Sequence, residues 1–240
     1  YIDATVERIL RLVEKSQGIA KPEIDWDAHH DLALKVAQQG AVLLKNEEHI
    51  LPLCESDMVL IGHMAANLRY QGSGSSHINP TKLINITDAM PDVPCCACGD
   101  ANGNVTEEDL RNAAEAAKSQ KTAVVVVGLP DSYESEAFDR EHMRLPEGHN
   151  KLVEAVVKAN SNTVVVLLGG SAMELPWADQ VKAILYMGLP GQAGGQAVAN
   201  LLTGKVNPSG KLTETWPLSY EDVISKDTFG KKNTEYREGI

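Results

Sequence analysis

The hexapeptide AVVVVG, residues 123–128, decides how the rest of the sequence is interpreted. A run of small and β-branched apolar residues that ends at glycine is typical of a strand buried on both faces, as in a parallel sheet covered by helices. Similar runs, each ending at a glycine, lie at residues 57–62, 93–99, 163–169 and 182–188. The sequence therefore predicts five strands of one largely buried sheet.

Helical patterns alternate with these strands. They cover residues 106–118, with Thr106 as N-cap, residues 146–160, beginning at Pro146, and residues 195–204, ending at Gly204. The resulting order β, β, α, β, α, β, β, α predicts an α/β fold, a doubly wound, mostly parallel sheet between helix layers. In such an α/β sandwich, ligands bind at the carboxyl ends of the strands.

The segments outside this pattern suggest a domain organisation. The predicted parts are a helix in residues 1–20, a linker and lead-in helix in 21–55, the α/β sandwich in 56–212, and a linker or surface strap in 213–240. The lead-in helix begins near Ala28, and its segment continues through AVLLKN into HILPL. The last segment is rich in Pro, Gly and Ser and carries little periodicity, which favours a strap over the domain surface.

Composition excludes several classes of partner. The formal net charge of −11 and the absence of a basic cluster argue against nucleic acid, and no apolar run is long enough to span a membrane. The four cysteines are Cys54, Cys95, Cys96 and Cys98. Three of them crowd into CCAC without the separated pairs of a zinc site, so we predict no metal, reduced thiols and a cytoplasmic location.

Two glycine-rich segments superficially resemble nucleotide-binding motifs. LLTGKVNPSGKL has one residue too many between its glycines for a phosphate loop, and Leu follows its Lys where Ser or Thr is required. GLPGQAGGQA lacks the closely spaced first glycine pair of a dinucleotide site. The first segment also follows a helix instead of a strand and is rejected as a phosphate loop. A tight turn and close helix packing explain the second better than a cofactor site does, and no cofactor is expected.

The stretch LPDSYESEAFDREHMRLP, residues 129–146, places five carboxylates directly after AVVVVG. Charged loops are usually solvated, and Asp139 beside Arg140 suggests a local ion pair that fixes the loop. Acetal cleavage, however, needs a carboxylic acid whose pKa is raised, together with a second carboxylate across the sugar. Glu136 precedes Ala137 and Phe138 and has the most apolar neighbours, so we expect its pKa to be raised.

Several motifs, taken in order, resemble the second domain of family 3 glycoside hydrolases, the β-glucosidase group. They are GAVLLKNEEHILPL, QGSGSS, YESEAFDRE, TVVVLLGGSAMELPW, AILYMGLPGQAGGQAVANLLTGKVNPSGKLTETWP and YREGI. The resemblance runs from about Gly40 to the end. The leading helix resembles the last helix of the barrel domain that precedes this domain in the family.

The resemblance implies a role for individual residues. Glu136 matches the family's acid/base glutamate, although Ala137 stands where the family commonly has glycine; Glu134 is the reserve candidate. In QGSGSS, Ser75 matches a serine that contacts the bound sugar. Asp139 and Arg140 are expected to brace the loop.

The resemblance also implies an activity and its partners. Such enzymes are retaining, exo-acting hydrolases that remove a β-linked sugar, usually glucose, and their aspartate nucleophile lies on the barrel domain. The expected partners are a β-linked glucoside or related oligosaccharide and a barrel domain that this chain lacks, so the chain alone should be inactive. The alternative is a non-catalytic doubly wound module that binds a sugar or a nucleotide.

Overall fold

A six-stranded sheet forms the centre of the structure, a computed structural model that describes residues 1–137 and 139–236. Its strands are β1 (Val42–Asn46), β2 (Met58–Ile61), β3 (Cys95–Cys96), β4 (Thr122–Gly128), β5 (Thr163–Leu168) and β6 (Ala183–Tyr186). The spatial order is β1-β6-β5-β4-β2-β3. Every neighbouring pair is parallel except β1 and β6, so the five predicted strands and their mostly parallel arrangement are confirmed.

The helices lie on both faces of this sheet or lead into it. They are α1 (Ile2–Ser16), α2 (Trp26–Gly40), α3 (His63–Ala66), α4 (Ile86–Ala89), α5 (Glu107–Lys118), α6 (Glu147–Ala159) and α7 (Gly194–Leu202). The three helices predicted to alternate with the strands are α5, α6 and α7, and the helices predicted ahead of them are α1 and α2. Thr106 caps α5 as expected, since its hydroxyl accepts from Asp109 N at 3.1 Å while the Asp109 carboxylate accepts from Thr106 N.

Side chains that alternate along each central strand fill two separate cores. On β4, Val124 and Val126 face a core shared with α2, α3, α4 and α7, whereas Val125 and Val127 face a core shared with α5 and α6. All four valines are at most 1% exposed. Burial on both faces explains why the strand sequence is continuously apolar instead of alternating, and it confirms the doubly wound arrangement.

The lead-in segment contains a strand that the sequence pattern does not predict. Its helix begins at Trp26 and ends at Gly40, and AVLLKN contains the edge strand β1. Ala41 takes an extended conformation, and the strand then pairs antiparallel with β6, Val42 opposite Tyr186. The hydrogen-bonding partner lies more than a hundred residues further along the chain, so local periodicity gave no sign of it.

The two ends of the described chain lie outside this sandwich. Helix α1 has no buried residue. After α7, residues 213–236 follow the surface, where Trp216 packs edge-on against Tyr186 with 4.8 Å between ring centroids. Residues 237–240 of the predicted strap lie outside the described residues. None of the described helices combines the length and the apolar character needed to cross a membrane.

Candidate active site

Three loops meet at the carboxyl edge of the sheet. The first is the QGSGSS loop, residues 71–76, which follows β2 and α3; the second is the acidic loop, residues 129–146, which follows β4; the third is the β5 loop, residues 169–172. Strands β2, β4 and β5 are parallel neighbours, so their carboxyl ends lie side by side. The predicted residues Ser75, Glu134, Glu136 and Arg140 are brought together here.

The acidic loop begins at a tightly packed strand end. Leu129 N donates to Leu168 O at 2.9 Å, and a side chain on Gly128 would overlap the Leu168 carbonyl. The imidazole Nδ1 of buried His149, on α6, lies 3.0 Å from Gly128 O and donates to it in the tautomer protonated at Nδ1. Burial lowers the pKa of His149 to about 4, so the ring is neutral at neutral pH.

Glu136 is exposed and faces the QGSGSS loop. Its Oε2 accepts a hydrogen bond from Ser75 N at 2.6 Å. The Ser75 hydroxyl and backbone N–H both stabilise the carboxylate and lower the pKa of Glu136. The expected upward shift is therefore wrong for this chain, because the carboxyl group is exposed and hydrogen-bonded instead of enclosed by apolar groups. Phe138, part of the expected apolar setting, lies outside the described residues.

Backbone geometry on both sides permits this approach. Gly74 has φ of 81°, and a Cβ placed on it would stand 2.6 Å from Glu136 Cβ, so only glycine fits beneath the carboxylate. Ala137 has φ of 76°, a left-handed conformation that side-chain-bearing residues rarely adopt. Glycine would adopt this conformation without the steric penalty of a Cβ.

Glu134, the reserve candidate, is engaged in quite different contacts. Its Oε2 and Oε1 accept from Gly170 N at 2.8 and 3.1 Å, and Oε1 also accepts from the Ser171 hydroxyl at 2.8 Å. The side chain is 19% exposed. A carboxylate held by donors of the β5 loop is suited to fixing the backbone and poorly suited to exchanging a proton with a substrate.

The two residues expected to brace the loop have separate positions. Arg140 Nη1 donates to the Ser171 hydroxyl and to Ala172 O, both at 2.9 Å, so it joins the acidic loop to the β5 loop. Asp139 is exposed, and within residues 1–137 and 139–236 no ion pair joins it to Arg140. The expected local pair is not formed because the guanidinium of Arg140 turns inward.

Arg69 belongs to this site and was not identified from the sequence. Its side chain is 9% exposed and forms an ion pair with Asp131, while Nη2 donates to Glu134 O at 3.1 Å. The only available signal was a cation two residues before Gln71, the first residue of QGSGSS. Its partners could be recognised only once the strand order had placed the acidic loop beside it.

Comparison with known proteins relates this arrangement to one family. The profile of the Glycosyl hydrolase family 3 C-terminal domain matches residues 41–240. The full chain is 45% identical to part of the thermostable beta-glucosidase B of Acetivibrio thermocellus and 36% identical to part of an exo-alpha-(1->6)-L-arabinopyranosidase of Bifidobacterium longum. The chain spans 33% and 34% of these two proteins, about a third of each.

A solved structure shows the same fold. The Bifidobacterium adolescentis GH3 beta-glucosidase superposes with a TM-score of 0.88 and 37% sequence identity, over 93% of this chain and 34% of that protein. The arrangement of strands and loops described above is therefore shared with a domain of a larger protein.

Proposed function

The chain belongs to glycosyl hydrolase family 3, as a C-terminal domain, and on that premise we propose that it supplies the acid/base glutamate and part of the sugar site of a retaining, exo-acting β-glycosidase. One observation carries the proposal: Glu136 is an exposed carboxylate at the carboxyl edge of the sheet, held against the QGSGSS loop. Its neighbour Glu134 is already engaged by the β5 loop.

In the proposed reaction, Glu136 acts twice. As an acid it protonates the glycosidic oxygen while an aspartate of the barrel domain attacks the anomeric carbon, and the leaving group departs. As a carboxylate it then removes a proton from the water that hydrolyses the glycosyl-enzyme, which returns Glu136 to its acid form. A retaining site needs its two carboxyl groups about 5 to 5.5 Å apart, and the barrel domain is the proposed source of the second.

The first step requires Glu136 to be protonated, whereas Ser75 favours its ionised form in this chain. Docking of the barrel domain and of the sugar would remove water from the carboxyl group, and burial raises a carboxyl pKa. If the sugar also takes over the donors of Ser75, the carboxylate loses their stabilisation. Ser75 is therefore proposed both as the contact to the sugar and as the partner of Glu136 when the site is empty.

The barrel domain is proposed as the partner of the leading helix. Helix α1 carries a row of apolar side chains that are about half exposed or more: Val6, Ile9, Leu10 and Val13. An amphipathic helix without a packed face is stabilised by burying that face against another element. Because the nucleophile lies on this partner, we expect the isolated chain to have no β-glucosidase activity; measured turnover by the purified chain would contradict the proposal.

The acid/base role is tested in a two-domain enzyme that joins this chain to a family 3 barrel. Replacing Glu136 by Ala should lower kcat/KM most for β-glucosides with poor leaving groups, since these need protonation, and least for activated aryl glucosides. The matched control is Glu141→Ala, an exposed carboxylate of the same loop, which should behave as the parent enzyme. Equal losses for good and poor leaving groups after Glu136→Ala would contradict the role.

A cytoplasmic location is proposed from the thiols. All four cysteines are free, and Cys95, Cys96 and Cys98 are neighbours at the end of β3. Burial raises the pKa of the Cys98 thiol to about 12, which keeps it protonated and poorly reactive. Free thiols are typical of a reducing compartment. Fractionation with an antibody to the protein tests the location.

A further inference from the structure

A single arginine, whose side chain is largely but not fully buried, contacts two of the three loops at the site. Arg69 Nη1 donates to the Ser73 hydroxyl of the QGSGSS loop at 3.2 Å, and Nη2 donates to the main-chain oxygen of Glu134 at 3.1 Å. The same guanidinium forms an ion pair with Asp131, near the start of the acidic loop. Arg69 thus holds the QGSGSS loop against the first part of the acidic loop.

The side chain of Glu134 continues the connection to the third loop. Its carboxylate is held by Gly170 N and the Ser171 hydroxyl, and its Oε2 lies 4.0 Å from Arg69 Nη2. A Cβ on Gly170 would stand 3.1 Å from Glu134 Oε1, so glycine leaves room for the carboxylate at this position. Arg69 and Glu134 together therefore link the loops that follow β2, β4 and β5.

The positions of these contacts in the sequence explain their effect on the proposed proton donor. Ser75 lies two residues after Ser73, and Glu136 lies two residues after Glu134. Glu136 and Ser75, which are hydrogen-bonded to each other, thus each lie two residues from a residue that Arg69 contacts. An exposed carboxylate on a loop would otherwise sample many positions, and proton transfer needs the carboxyl group within hydrogen-bond reach of the leaving oxygen.

We infer that Arg69 and Glu134 are a positioning pair, which sets the separation of the QGSGSS and acidic loops and so places Glu136 for proton transfer. The inference rests on the proposed function of Glu136, and it assigns Glu134 to positioning instead of to the reserve acid/base role. Arg69 is required as arginine because its planar fork reaches Ser73 and Glu134 at once, which the single ammonium of lysine cannot do in the same geometry.

The first test uses the isolated chain and needs no activity. In an NMR pH titration, the Ser75 amide proton should shift as the Glu136 carboxyl group titrates, because the two are hydrogen-bonded. In Arg69→Lys and Glu134→Gln, this coupling should be lost, and the Glu136 pKa should return toward its ordinary value. The controls Arg144→Lys and Glu141→Gln change exposed residues of the same loop and should titrate as the parent chain.

Loss of the coupling in the two variants alone would support the inference. Folded Arg69→Lys or Glu134→Gln chains that keep the coupling between Ser75 and Glu136 would overturn it, as would an equal loss in the two controls. Glu134→Gln keeps the shape of the side chain, so it provides the test if Arg69→Lys does not fold. Because no substrate is involved, the result does not depend on whether Glu136 is the acid/base residue.

The second test uses the two-domain enzyme. Misplacement of a catalytic group by about 1 Å can cost on the order of 100-fold in rate, so Arg69→Lys should lower kcat by about 10- to 100-fold. The loss should be greater for poor leaving groups, with KM little changed. An unchanged kcat would overturn the inference. Failure of the proposed function itself would be recognised separately, by a Glu136→Ala enzyme that retains full activity on poor leaving groups.

Discussion

The carboxylate-rich part of the acidic loop, residues 131–140, has two halves whose similar sequences serve different purposes. In the inner half, residues 131–134, Asp131 pairs with Arg69 and Glu134 accepts three hydrogen bonds from the β5 loop. In the outer half, residues 135–140, Glu136 is exposed and accepts from Ser75, while Asp139 is exposed. Two glutamates separated by one residue are thus a fixed anchor and an accessible carboxylate.

The contrast shows that the environment of a carboxylate comes from distant loops. Glu134 meets N–H and O–H groups because the end of β5 lies beside the end of β4. Glu136 extends past that edge toward the QGSGSS loop. The inner half should therefore control the stability of the site and the outer half its chemistry, and the following experiments test that division from the largest expected effect to the smallest.

Truncation of the anchor should have the largest effect. Glu134→Ala leaves Arg69 partly unpaired and the Gly170 N–H without its acceptor, and losing hydrogen bonds to a partly buried carboxylate typically costs up to about 3 kcal/mol of unfolding free energy. Glu136→Ala removes an exposed side chain and should leave the urea midpoint of the chain unchanged. Urea denaturation of the two variants compares the halves directly, and similar destabilisation by both would refute the division.

The strand end that precedes the inner half should make stability depend on pH. The pKa of His149 is about 4 in the folded chain and 6.5 in its ordinary state. At a pH between these two values, the imidazole of the unfolded chain is protonated and that of the folded chain is not. Unfolding free energy should fall as pH drops from about 6.5 to 4, by up to about 3 kcal/mol.

His149→Gln removes this titration, so the variant should show a flatter dependence of unfolding free energy on pH over the same window. The buried His30 provides a matched control, since His30→Gln leaves the proton uptake of His149 in place. Denaturation curves from pH 7 to 4 give the comparison. A His149→Gln chain with the slope of the parent would show that His149 does not carry the effect.

In the outer half, relief of backbone strain should stabilise the chain modestly. Ala137→Gly places glycine at φ of 76°, where a Cβ is disfavoured, and the gain should be up to about 1 kcal/mol after the entropy of the unfolded glycine is offset. Thermal denaturation measures it. Gly74→Ala is the opposite change, at φ of 81°, and should destabilise. Destabilisation by Ala137→Gly would mean that the left-handed turn is not formed.

Removal of the Ser75 hydroxyl should have little effect on stability and a specific effect on Glu136. The hydroxyl is the largest cause of the lowered pKa of Glu136, and the backbone N–H of residue 75 remains in Ser75→Ala. The pKa of Glu136 should rise part of the way toward its ordinary value. Carboxyl ¹³C NMR titration checks this, with Ser76→Ala as the neighbouring control. An unchanged pKa would assign the shift to the N–H alone.

The secondary-structure elements that could be predicted from the sequence differ from the one that could not in where their stabilising contacts lie. The strands were predictable because burial on both faces requires unbroken apolar runs such as residues 123–128, and α5 because Thr106 and Asp109 form a local capping box. Strand β1 could not be predicted, since its partner β6 is remote in the sequence. Local patterns thus revealed the elements whose stabilising contacts lie within the element or depend on composition.

In the site, too, local features could be predicted and contacts between distant segments could not. Glu136 and Ser75 were identified from motifs, but the direction of the Glu136 pKa shift was predicted wrongly because the hydroxyl and N–H groups of Ser75 that lower it belong to another loop. Arg69 was missed for the same reason, since Asp131 and Glu134 are brought to it by parallel pairing of β2 and β4. Contacts between loops depend on strand order, which neither charge nor spacing reveals.

The central claim is that Glu136 transfers the proton and Glu134 positions it, and rescue by azide in the two-domain enzyme tests this most directly. With an activated aryl β-glucoside, added azide should restore turnover of Glu136→Ala and yield the β-glucosyl azide, because the anion needs no general base. Glu134→Ala retains its general base and should form only glucose, at a reduced rate. Azide rescue of Glu134→Ala, with none for Glu136→Ala, would contradict the account.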